Sequence, residues 1–177
     1  MMSILSQCST SKESKMPPTQ VLVAYGVFAL SAIAVWHLIA DGEFSVILTL
    51  SVMLHCLAMA LLALQVLLTG SVSGISAKAL LLDSLALACR LSSTLWLNGY
   101  LPVDASGDFI YQAFDIVSLG IVAWLLHQVF VTRSRSYQAE EDSLTILPMV
   151  IGAFALAAIL HGSMNSRPLF DTLWMAG

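Results

Sequence analysis

Charge is what this chain has least of: seven lysines and arginines and eleven carboxylates among 177 residues, 10% in all. Average soluble domains carry roughly 25%, so the shortfall excludes an ordinary water-exposed surface. The net charge of −4 is spread over loops, and no basic cluster suits nucleic acid or lipid headgroups. Cysteine is scarce and odd in number. Cys56 and Cys89 lie in apolar runs and Cys8 in a polar one, so neither a disulfide framework nor a metal site is expected. There is no glycine-rich phosphate loop, no histidine pair at metal-ligand spacing and no nucleophile with an identifiable base. Neither catalysis nor a cofactor is expected.

Abundant instead are apolar residues, 58% of the chain, with a mean hydropathy of +0.87. Together with the scarcity of charge they predict an all-α, multi-pass transmembrane helix bundle. Residues 1–20 are polar, end in Pro17-Pro18 and read as a disordered arm. Residues 21–40 form a first span. At about 20 residues it exceeds the roughly 7–15-residue core of a cleaved signal and reads as a retained helix. Asp41-Gly42-Glu43 makes a tight connection to a second span, Phe44 to Thr69, and Gly70 to Lys78 is a Ser/Gly turn region. Further apolar runs cover Leu80 to Leu101, Phe109 to Thr132 and Leu144 to His161, with a loop over Leu101 to Asp108. A sixth run starts near Leu169 and stops at Gly177, well short of the roughly 20 residues a span needs, so an incomplete chain is expected.

Loops counted alternately place Lys12, Lys15, Lys78, Arg133 and Arg135 on one side and Arg167 alone on the other. Lysine and arginine concentrate on the cytosolic side of membrane proteins. The bias puts the N-terminus in the cytosol and the connections at Asp41–Glu43, Leu101–Asp108 and Gly162–Pro168 in the lumen or exterior.

Arg90 stands out within the third apolar run. A guanidinium there is costly unless it faces protein, water or a counter-charge, which makes it a site candidate. Asp83, Thr94 and Asn98 share a limited arc with it, so the helix carries a polar stripe that must point into a bundle or cavity. The planar fork of Arg90 suits a carboxylate such as a peptide terminus. Alternatively Arg90 is structural, paired with Asp83 or with Asp115 on the next helix, although about 10 Å along the axis separates it from Asp83. His55, inside the second span, could change charge between pH 5 and 8 if an acid lies nearby, or serve as a neutral packing residue. His37, His127 and His161 sit near span boundaries and read as interfacial.

Gly74-Ile75-Ser76-Ala77-Lys78 followed by Arg90 resembles the Gly-Ile-Ser-x-Lys turn and intramembrane arginine of the KDEL receptors, the ER lumen protein-retaining receptors. His55 falls where that family carries a histidine in its first helix. Tyr137 and Asp142 are similar to its Tyr-x-x-x-x-Asp, and Asp171-Thr172-Leu173-Trp174 to the acid-x-x-Trp that opens its fifth helix. The resemblance runs from Phe44 onward, leaving 21–40 as a helix the family lacks and 44–177 as a partial domain without the C-terminal helices. Leu91, Ser93 and Leu48 stand where the best-known members have a tyrosine, an acid and an arginine, and Gly99-Tyr100-Leu101-Pro102-Val103-Asp104 looks more like the divergent KDEL-receptor-like branch.

The resemblance implies a seven-helix fold related to the SWEET sugar transporters, built from two three-helix bundles and a linking helix. It also implies a receptor of the ER and Golgi membranes that binds C-terminal retention peptides in the acidic Golgi and releases them in the ER. Arg90, Asp171 and Trp174 would then contact ligand and His55 would sense pH. Asp171 and Trp174, at i and i+3, share a helix face; otherwise they are a luminal capping acid and an interfacial tryptophan. Glu140-Glu141-Asp142 would be a solvated acidic loop or a contact for coat factors, and Asp104 and Asp108 solvated or capping residues. Two other readings stay open: a small-solute transporter of the same fold, and an accessory subunit docked through the first helix.

Overall fold

A computed structural model describes residues 18–97, 99–160, 162 and 166–177. The first 17 residues of the expected arm, with Cys8, Lys12 and Lys15, lie outside the described residues, as do Asn98 and His161. The described residues are helical and contain no strand. In chain order the helices are α1 (Thr19–Ala34, continued in wider π geometry over Val35–Ile39), α2 (Val46–Thr69), α3 (Ala77–Thr94), α4 (Ile110–His127, continued likewise over Gln128–Thr132), α5 (Ile146–Leu160) and α6 (Pro168–Ala176).

Among the described residues, Thr19–Ile39, Val46–Thr69 and Ala105–Thr132 are long and apolar enough to cross a bilayer. The chain is a multi-pass membrane helix bundle. The third helix departs from expectation: it starts at Ala77 and ends at Thr94, not Leu101. Its 18 residues span about 27 Å. Beyond Thr94 the chain must turn, with Gly99 at φ 101°, and the Gln112 amide donates to the Thr94 carbonyl at 3.0 Å, satisfying an end group that a longer helix would have used. Apolar composition alone did not register that stop. Likewise α5 is the 15-residue stretch Ile146–Leu160, shorter than the run it sits in.

The arrangement of helices follows from which faces are apolar. α4 lies between α2 and α3 and packs on both; α1 lies outside α2, and α5 and α6 cover another side of α3. Val66, Val72, Leu80, Leu87, Val122 and Leu125 form one core where α2, α3 and α4 meet. A second core, Val35, Val46, Met53 and Ile110, joins α1, α2 and the start of α4. α1 is mostly uncovered, with Leu22, Val27 and Leu30 more than half exposed, as suits a helix whose outer neighbours are lipid tails.

Two ends result. At one, here called the Lys78 end, lie the connections 70–76 and 133–145; at the other, the Asp104 end, lie 40–45 and 95–109. The expected Asp41-Gly42 turn is present, with both residues at positive φ and the Gly42 amide donating to the Trp36 carbonyl at 2.9 Å. At Gly107 a β-carbon would sit 2.2 Å from the Pro102 carbonyl oxygen, so only glycine lets the connection fold back before α4.

Candidate functional site

Arg90 is in the half of α3 nearer the Asp104 end, and it turns toward α4. Its Nε donates to Asp115 Oδ2 at 2.7 Å, and Nη2 donates to Asp115 Oδ1. This is the two-pronged geometry in which a guanidinium binds a carboxylate most strongly. Asp115 is fully buried, whereas the Arg90 side chain keeps 20% of its surface accessible. The Tyr111 ring lies one turn before Asp115 on the same face of α4, its centroid 5.9 Å from the Arg90 Cζ. Of the two structural partners weighed for Arg90, the geometry provides Asp115.

Asp83 lies seven residues earlier on the same face of α3 and turns instead to α2. Its Oδ2 is 3.4 Å from His55 Nε2, close enough for attraction between charges, yet neither atom has a hydrogen-bond partner among the described residues. Both residues line a cavity of ≈ 480 Å³ together with Met59, Leu62, Ile75 and Leu80. The polar stripe of α3 is therefore divided. Asp83 faces a cavity, while Arg90 faces a carboxylate and does not line that cavity.

Asp171 and Trp174 come to α3 on α6. Asp171 is 3% exposed and accepts a 2.5 Å hydrogen bond from the Tyr100 hydroxyl, while the Ser93 hydroxyl donates to the Phe170 carbonyl at 3.1 Å. Trp174 stacks at a tilt on Tyr100, centroids 6.0 Å apart, and its buried indole N–H has no acceptor among the described residues. Asp171 is thus neither a solvent-facing cap nor paired with Arg90. Gly177, following α6, approaches the α3 backbone so closely that a β-carbon there would lie 2.5 Å from the Ala86 carbonyl oxygen.

At the Lys78 end, two motifs distant in sequence form one clasp. Asp142 accepts from the Ser76 hydroxyl at 2.7 Å, the Lys78 amide at 3.1 Å and the Tyr137 hydroxyl at 2.7 Å, and the Lys78 ammonium donates to the Asp142 carbonyl at 2.6 Å. Ser76 also caps α3 by accepting from the Ala79 amide. Burial works to raise the Asp142 pKa, but the bonds from Tyr137, Ser76 and Lys78, with the lysine charge, bring it down from 3.8 to about 2. The same contact, with burial, raises that of Tyr137. The expectation of a solvated acidic loop holds for Glu140 and Glu141, which are exposed, and fails for Asp142, which is buried. Beside the clasp a cavity of ≈ 520 Å³ has a mixed lining, Ser76, Gln138, Glu141 and Asp142 with Ile75 and Leu144.

Asp104 acts at the opposite end as a local cap. It accepts from the Ser45 and Ser106 hydroxyls and, at 2.8 Å, from the Ser106 amide; these bonds outweigh the opposing effect of burial and lower its pKa. Asp108, His37 and His127 are exposed at helix ends.

Sequence reading alone did not single out Tyr111 or the Tyr100–Asp171 bond. The i, i+4 spacing of Tyr111 and Asp115 was an available signal. Nothing local marks Tyr100, whose partner lies 71 positions away.

A family model described as ER lumen protein retaining receptor matches residues 71–177. No curated protein and no solved structure matches the chain.

Proposed function

The chain belongs to the ER lumen protein retaining receptor family, and from that membership we propose that it is a sorting receptor that binds the C-terminal retention peptides of luminal proteins in the acidic Golgi and returns them to the ER. The family is one of receptors rather than enzymes, and with the apolar helices it makes this a multi-pass protein of the ER and Golgi membrane system. The observation that carries the reading is Arg90: an arginine held inside the bundle with 20% of its side-chain surface accessible and Tyr111 beside it.

Arg90, Tyr111, Tyr100, Asp171 and Trp174 cluster toward the Asp104 end. The lysine and arginine bias supports a luminal position for that end, and with it ligand entry from the lumen. Arg90 meets the terminal carboxylate, and Asp171 and Trp174 meet the residues preceding it. His55, 3.4 Å from Asp83, would be the residue through which pH acts on binding. The cavity walls beside this pair, Met59, Leu62, Ile75, Ser76 and Leu80, carry no titratable group. Coat factors would meet the exposed Glu140 and Glu141.

Binding of a tetrapeptide ending Lys-Asp-Glu-Leu to the purified chain, compared at about pH 5.5 and 7.4, tests the reading. Tighter binding in acid is expected, with Arg90→Ala weakening it by about 10- to 100-fold and His55→Ala flattening the pH response. Equal affinity at both pH values overturns retrieval. The uncovered face of α1 favours a second reading, an accessory subunit, which predicts fixed co-purifying partners and no response to peptide.

A further inference from the structure

We propose that Asp115 is an internal occupant of a carboxylate site on Arg90, a built-in competitor that an incoming peptide terminus must displace. The identification of the incoming group as a peptide tail rests on the receptor reading; the exchangeability of Asp115 rests on the geometry. Asp115 meets Arg90 through both oxygens, the arrangement an external carboxylate would adopt. Accessibility is asymmetric: Asp115 is fully enclosed, while the Arg90 side chain keeps 20% of its surface accessible. A guanidinium has five N–H donors, and among the described residues Asp115 is the hydrogen-bond acceptor for Arg90's Nε and Nη2 alone. A second carboxylate would approach from the Nη1 side, which Asp115 leaves unengaged. Tyr111 packs on the cation and not on the exchanging anion, so it holds Arg90 in place throughout.

A buried ion pair is poor evidence of stabilisation, because desolvation consumes much of the attraction, whereas removing one partner leaves an uncompensated charge and is strongly destabilising. An external carboxylate that replaces Asp115 keeps Arg90 compensated. It must also offset the cost of leaving the enclosed Asp115 without its counter-charge, which sets the affinity of the site below what an unpaired guanidinium would give.

The experiment uses the full chain in detergent with two variants. Asp115→Asn should bind the free-acid tetrapeptide at least about tenfold more tightly than the parent, with no gain for the same peptide carrying a C-terminal amide. Asp115→Ala opens a space beside an unpaired Arg90, and its thermal stability, or its folded yield if it fails to fold unaided, should rise with formate but not with chloride at equal ionic strength. Absence of formate rescue together with no gain in Asp115→Asn overturns the proposal, whatever the parent binds. Formate rescue in a chain that binds no peptide at either pH supports exchange at Arg90 and overturns the receptor reading instead.

Discussion

Asp142 shows how much one side chain can organise. Its two oxygens and its carbonyl gather donors from the start of α3 and from Tyr137, so a single carboxylate ties the α4–α5 connection to the beginning of the helix that carries Arg90. A carboxylate at a helix N-terminus also meets the positive end of the helix dipole. Because its folded-state pKa is depressed, the stability it contributes is fully present above the ordinary value of 3.8 and is lost as pH falls through about 2. Asp142→Asn should lower the melting temperature by a few degrees near neutrality. The gap between variant and parent should close between pH 4 and 2, about where the native carboxyl takes up its proton. Melting curves across that window check it; a gap that persists to the lowest pH would mean that shape, not charge, is what Asp142 supplies. The Tyr-x-x-x-x-Asp and Gly-Ile-Ser-x-Lys motifs were both legible in the sequence. Their union was not, since 64 positions separate Asp142 from Lys78 and nothing in either segment specifies the other.

Among the elements, α3 departs furthest from an expectation based on composition. Residues 80–101 read as one apolar run, yet the helix stops at Thr94 because the following chain must turn back to begin α4. Gly107 makes that return possible, and its close approach to Pro102 leaves no room for a side chain. Gly107→Ala should therefore destabilise the protein by about 1–3 kcal/mol, read as a lower melting temperature, and should perturb α4 and its Asp115 more than α1. Hydrogen exchange resolved by segment would locate the effect. Uniform loss of protection across all helices would show that the turn has no local role. Boundaries of α1, α2 and α4 were closer to expectation; for the first two a punctuating residue coincides with one end of the apolar run, Pro18 before α1 and Gly70 after α2 with a left-handed backbone.

For the molecule as a whole, the question is which end faces which compartment. The Lys78 end holds Lys78, Arg133 and Arg135, and of these Arg133 also donates to the Val66 carbonyl, closing α2. If the basic end is cytosolic, a glycosylation acceptor inserted beside Val103, which is 99% exposed, should be modified in microsomes, while one inserted beside Ser134 should not. The reverse pattern would invert the orientation and move Arg90 to the cytosolic half. Family membership itself is carried by residues 71–177. α2 precedes that stretch but belongs to the same packed core, Val66 against Val72 and Leu80, so the fold extends beyond the matched residues.

The sequence by itself determined the membrane class, the helical periodicity and the conspicuous position of Arg90, because hydropathy and the cost of a charge in an apolar run are properties of short segments. Only the tertiary structure decided what Arg90 and Asp83 each meet. Two charges on one face of α3 find different partners because α2 and α4 pass that face at different heights, presenting His55 to one and Asp115 to the other. Which partner wins depends on how three helices cross, and that is fixed by the packing of the entire bundle.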